Sequence, residues 1–205
     1  FIDDITITVD GTAVLTDDVE SGDNGWTADG FTRMSGSTSE TVQSYYLAEN
    51  RVYSGYDKNL KTGPYNFGDP ERPDWVERFP YQDGLLVWYI NNAYSDNNTS
   101  GHPGYGQVLP VDARPAPVKF SNGKLLGNRR QPFDATFGTQ RTDEVTFHNA
   151  GIPQTVPSTP GIRTFDDSDP NRYWSADNPW SSTKVAGSGT KITVLKEKKD
   201  EMSLR

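Results

Sequence analysis

The chain has 205 residues, no cysteine and a formal net charge of −8 at pH 7. The absence of cysteine excludes a disulfide framework, a thiolate metal site and a thiol nucleophile, and the excess of acid argues against a phosphate-backbone partner. Only 33% of residues are hydrophobic but 12% are aromatic, so a core must come from few, large side chains; 19 Gly and 14 Pro spread along the chain cut it into short extended pieces.

Those pieces predict an all-β chain: an antiparallel β-sandwich, jelly-roll-like, with long irregular loops. Phe1 opens inside a strand pattern, as a piece of something longer would. Ile5-Thr6-Ile7-Thr8-Val9 alternates, Asp10-Gly11 reverses the chain, and Thr12-Ala13-Val14-Leu15 returns; Asp-Gly between alternating segments is a hairpin signal because both turn residues must tolerate positive φ. Thr41–Tyr46 reads as a further strand. Residues 54–83 read as irregular, with Pro64, Pro70, Pro73 and Pro80 interrupting any ladder. Leu85-Leu86-Val87-Trp88-Tyr89-Ile90 reads as a central strand buried on both faces, and this longest apolar run is far too short to span a bilayer. Gln107–Val111 follows as a short strand, Asp134–Phe137 and Glu144–Phe147 as weaker ones, Thr164–Trp180 as a loop and Lys191–Leu195 as the closing strand. No helical periodicity is present over a useful window.

The chain has two histidines, His102 and His148, far apart and without the spacing that places two imidazoles and a glutamate on one helical face. No Gly-x-Ser-x-Gly elbow and no glycine-rich phosphate loop occurs. The chain itself therefore carries no catalytic motif. Calcium is the cofactor that the acidic loops suggest, since it takes six to eight oxygens from carboxylates, amides and backbone. Three clusters qualify: Asp3-Asp4; Asp17-Asp18 and Glu20 with Asp23-Asn24; and Asp166-Asp167-Ser168-Asp169 with Asn171. Within them Asp3, Asp4, Asp18, Glu20, Asp23, Asp166, Asp167 and Asp169 are the candidate ligands, with turn capping as the competing role. Aromatic residues near loops (Tyr45, Tyr46, Tyr53, Tyr56, Tyr65, Tyr94, Tyr105, Tyr173, Trp174 and Trp180) could stack on sugars or pack into the core.

Several stretches, in one order, carry a family resemblance. Asp83-Gly84-Leu85-Leu86-Val87-Trp88-Tyr89 is followed by Asp96-Asn97-Asn98, His102-Pro103-Gly104 and Leu109-Pro110-Val111-Asp112-Ala113-Arg114-Pro115. Gln131-Pro132-Phe133-Asp134-Ala135-Thr136-Phe137, Thr164-Phe165-Asp166-Asp167-Ser168 and Gly189-Thr190-Lys191-Ile192-Thr193-Val194 complete the series. Together they resemble the C-terminal region of immune inhibitor A-like secreted zinc metallopeptidases, from about residue 12 to 196. The resemblance implies a bacterial, extracellular zinc metalloendopeptidase as the parent, with its HExxH motif and zinc upstream of this chain. It implies that residues 1–11 are the closing strand of a preceding jelly-roll module, 12–196 the C-terminal β-sandwich module and 197–205 a tail or the end of the last strand. The implied partners are the upstream catalytic and jelly-roll modules of the same polypeptide and the parent's protein substrates. The expected role is a non-catalytic accessory domain, with a protein- or carbohydrate-binding module as the alternative.

Overall fold

Asp10 (φ 48°) and Gly11 (φ 79°) both take the left-handed conformation that the hairpin reading requires. In the computed structural model, which describes residues 5–17, 42–62, 80–127, 130–149, 152–198 and 201–205, this turn joins Ile5–Val9 (β1) to Thr12–Asp17 (β2) as an antiparallel pair. A bulge at Ile7/Thr8 shifts its register. The hairpin belongs to the first of two compact units, 1–41; the second is 42–205.

The second unit is organised by Gly84–Asn91 (β4), flanked antiparallel by Ser44–Arg51 (β3) and Val108–Val111 (β5). Leu85, Leu86 and Val87 are each 0% exposed, so consecutive residues on opposite faces are both covered, as the uninterrupted apolar run requires. Burying each such side chain contributes about 1.5–3 kcal/mol. β3 begins later and runs further than its sequence suggested, because β4 offers partners as far as Gly84 opposite Arg51. Gly84 itself has φ +139°, and a Cβ there would lie 2.8 Å from the Phe137 carbonyl oxygen. That close approach lets Leu85 and Phe137 exchange two backbone hydrogen bonds of 2.8 Å.

A second three-stranded sheet, in the order β10-β9-β8, is built from Glu201–Leu204 (β10), Lys191–Lys198 (β9) and Thr164–Asp166 (β8). Between it and the first sheet lies the larger core: Leu85, Val87 and Tyr89 of β4, Val111 of β5, Phe165 of β8 and Val194 of β9, with Phe137 and Tyr173 from loops. Both sheets are antiparallel and face each other across apolar side chains, consistent with a β-sandwich. A smaller core of Phe120, Leu126, Phe133, Val145 and Phe147 sits beneath the hairpin of Val145–Asn149 (β6) and Ile152–Val156 (β7).

Some expectations are corrected. The strand proposed at Asp134–Phe137 is a 3₁₀ turn, Gln131–Asp134, followed by an isolated bridge from Phe137 to Leu85. β7 was not foreseen, β8 lies where a loop was expected, and the residues after Leu195 extend β9 and return as β10. The irregular stretch 54–83 contains a short helix, Lys58–Thr62 (α1).

Candidate functional site

The most unusual chemistry of the second unit is internal. The chain leaves β5 through Asp112-Ala113-Arg114, and the Ala113 N–H donates to the Ala135 carbonyl at 3.0 Å, just beyond the Gln131–Asp134 turn. Asp112, Arg114 and Asp134 are thereby brought together inside the domain, with Asp112 1% and Asp134 6% exposed. Asp112 Oδ1 accepts the Arg114 N–H at 2.8 Å. The Arg114 guanidinium donates to the carbonyls of Asp134 (2.7 Å), Thr136 (3.2 Å) and Pro160 (2.8 Å). Its Nε stands 3.9 Å from Asp134 Oδ2. Asp134 Oδ1 is buried and has no hydrogen-bond partner among the described residues. Burial, and after it the charge of Asp134, pushes the Asp112 carboxyl well above the usual carboxylate range. Burial also raises Asp134, against the opposing pull of Arg114. Two acids and one base are therefore enclosed together. Residue spacing gave no warning of this, because the contact joins segments distant in sequence.

The acidic stretch after β8 divides its carboxylates among separate protein partners. Asp166 takes the Ser168 N–H at 3.0 Å and pairs with Arg172 (2.7 Å) and Lys191 (3.1 Å). The Ser168 N–H first, then Arg172, hold its carboxyl far below the usual range. Asp167 is fully buried, and its Oδ2 accepts the Tyr46 hydroxyl at 2.8 Å and both the N–H and hydroxyl of Ser188 at 3.1 and 2.7 Å. Burial alone would raise this carboxyl, but the donors from Ser188 and Tyr46 outweigh it and keep the group ionised. Asp169 accepts the Asn171 N–H at 2.9 Å, the turn-capping role. Asp3, Asp4, Asp18, Glu20 and Asp23 lie outside the described residues; Asp17 is buried at the end of β2. Among the described residues no three His, Asp or Glu side chains come together as a metal-ligand set.

The loop after β4 is tied by His102. Its Nδ1 faces the Tyr105 carbonyl at 2.6 Å and its Nε2 faces Asp96 Oδ1 at 2.7 Å. Both neighbours are acceptors, an arrangement that favours the doubly protonated ring, and the Tyr105 carbonyl, then Asp96, raise its pKa. Gly104 (φ +83°) passes so close to Trp174 that a Cβ would fall 2.7 Å from the indole. Lys184 Nζ caps the faces of Trp174 (4.3 Å) and Tyr105 (5.0 Å), and Tyr105 stacks on Tyr94 at 5.4 Å. Tyr46 and Tyr173 pack in the larger core; Tyr65 lies outside the described residues.

A solvent-open cleft of about 410 Å³ is lined by Arg51, Tyr53, Tyr81, Asn97, Thr99, Pro110 and Trp180, among others. Trp180 is 48% exposed, and Tyr81 stands edge-on to Trp88 at 5.9 Å. The Arg51 charge is met by Glu49 at 2.6 Å, so the cleft offers rings and neutral polar groups in preference to a free cation. Among the described residues His102 has both ring nitrogens facing protein acceptors, and the HExxH spacing is absent from the sequence.

Comparison with protein families matches residues 39–204 to the VEG domain of immune inhibitor A-like metallopeptidases. The chain belongs to this family. A pre-pro-metalloprotease, PrtV, of Vibrio cholerae serotype O1 is 30% identical over 203 residues, which is 98% of this chain and 20% of that protein. Immune inhibitor A of Bacillus thuringiensis subsp. alesti is 35% identical over 173 residues, 82% of this chain and 23% of that protein. The chain thus spans about a fifth of the length of the curated relatives it matches.

Within this VEG domain the stretches that carried the family resemblance do structural work. The two segments 109–115 and 131–137 supply the buried Asp112–Arg114–Asp134 group and the Phe137 bridge to β4. The Asp96-to-Gly104 segment supplies the His102 tie. Thr164–Asp166 forms β8, and Asp167 fastens it to Tyr46 on β3.

Proposed function

We propose that this chain is a non-catalytic accessory domain of an extracellular zinc metalloendopeptidase, stabilising the catalytic domain of the same polypeptide and guiding protein substrates to it. One observation carries the reading: the VEG match covers residues 39–204, while the chain accounts for only 20–23% of relatives named as a metalloprotease and as immune inhibitor A. In this reading zinc is assigned to the part of the polypeptide upstream of this chain, where the family resemblance implies the HExxH motif. The test is the full-length polypeptide against a version cut just before this chain. Loss of thermal stability together with loss of activity on small peptides is the expected outcome. A truncated enzyme that keeps both, and loses only large or surface-bound substrates, points to the second reading, a binding module. The cleft with the exposed Trp180 favours that alternative, because its ring and neutral polar lining suit a glycan or an uncharged peptide segment.

Calcium is the other part of the proposal. Its candidate ligands are Asp3, Asp4, Asp18, Glu20, Asp23, Asp166, Asp167 and Asp169; the protein partners of Asp166, of Asp167 Oδ2 and of Asp169 make the N-terminal acids the favoured group. Ligand that binds only the folded state raises its melting temperature. Tm is expected to rise from excess chelator to millimolar calcium; an unchanged Tm removes calcium from the account.

A further inference from the structure

We propose that Asp112 and Asp134 hold one proton between them in the folded domain, and that its loss above neutral pH loosens the junction between the two cores. The group sits at that junction: Ala113 and Phe137 belong to the larger core, and Phe133, next to Asp134, belongs to the smaller. The argument begins with charge. Two buried carboxylates are enclosed with a single guanidinium: Asp112 takes the Arg114 backbone N–H, the guanidinium donors are directed to three carbonyls, and Asp134 Oδ1 has no partner among the described residues. An unpaired charge in such a setting is expensive, and binding a proton removes it.

Among the described residues the cations nearest this group sit in one cleft with as many or more acids. Arg114 also lines a polar cleft of about 370 Å³ whose other charged groups are Asp83, Arg141, Asp143, Glu197 and Lys198, three acids against two bases. Glu197 there accepts the Thr139 N–H at 3.0 Å and its hydroxyl at 2.7 Å. The pair is raised in the folded state above the ordinary aspartate value of about 3.9. A group raised by folding contributes stability that is fully present below its unfolded value and lost as pH climbs through the folded value. The domain is therefore more stable near pH 5 than near pH 8, and each proton so linked changes the unfolding constant by up to about tenfold per pH unit. His102 is raised too and acts with the same sign.

The test is a carboxyl ¹³C NMR titration of the 205-residue chain, with unfolding measured from pH 5 to 8.5 on wild type, Asp112→Asn and His102→Gln. One aspartate carboxyl is expected to remain protonated above pH 6. The Asp112→Asn variant, which keeps an oxygen for the Arg114 N–H and leaves Arg114 one carboxylate, is expected to unfold several degrees higher than wild type at pH 8. It should also retain less of the wild-type pH slope than His102→Gln does. The titration does not depend on any variant folding. If every aspartate carboxyl titrates below pH 5, or if Asp112→Asn keeps the full wild-type slope, the proposal is overturned.

Discussion

Replacing Arg114 with alanine is expected to cost the domain about 3–5 kcal/mol at pH 7, the range for removing one partner from a buried charged group. The side chain does several things at once. It satisfies the carbonyls of Asp134, Thr136 and Pro160 and supplies the positive charge beside Asp134. Without it, those carbonyls and the charge that remains on the Asp112–Asp134 pair lose their compensation together. Against a typical total stability of about 5–15 kcal/mol the loss is about a fifth at the least. Lysine restores the charge but not the planar fork that reaches three oxygens, so Arg114→Lys should recover only part of the loss. Urea unfolding reads both: a lower midpoint at unchanged slope is expected. A loss under about 1 kcal/mol, the scale of an exposed ion pair, would contradict the role assigned to the guanidinium.

Phe137→Ala is expected to cost a similar amount, about 3–5 kcal/mol, by a different route. The ring is 0% exposed and stands edge-on to Phe165 at 5.8 Å and to Tyr173 at 5.6 Å. Removing it opens a cavity bounded by strand and loop backbone that the Leu85–Phe137 bridge holds in place, so collapse into the space is hindered. Loss of the ring pairs adds to the loss of buried area. Tyr56, 98% exposed on the 3₁₀ turn before α1, is the comparator: Tyr56→Ala should stay within about 0.5 kcal/mol. Equal effects at the two positions would mean that the larger core is not where the stability resides.

What the sequence made legible was local. The Asp10-Gly11 turn and the six-residue apolar run of β4 announce themselves, because turn chemistry and two-sided burial leave their marks on neighbouring residues. β7 and β8 do not: β7 contains Pro153, which argues against a strand, and β8 is only Thr164–Asp166. Both exist because a partner strand across the sheet supplies the ladder. Where a weak strand was expected at Asp134–Phe137, Pro132 lies in a 3₁₀ turn, Gln131–Asp134, that ends on Asp134. The site was harder still. Crowded aspartates at 166–169 read as calcium ligands or as turn caps, and the ion pairs of Asp166 were not foreseen, since one carboxylate chemistry serves all three. The buried acids Asp112 and Asp134 stood in stretches noticed for family resemblance and, at Asp134, for a weak strand pattern, and nothing local marked them as enclosed.

In the proposed function this domain stabilises a larger metallopeptidase polypeptide of which it is one part. The most direct test of that role keeps the chain full length: thermal inactivation of the complete polypeptide, wild type against Phe137→Ala, assayed on a small peptide substrate that needs no docking surface. The account predicts that weakening this core lowers the temperature at which peptidase activity is lost, in step with the unfolding of the domain. Unfolding of the domain at a lower temperature with no change in the inactivation curve would contradict it.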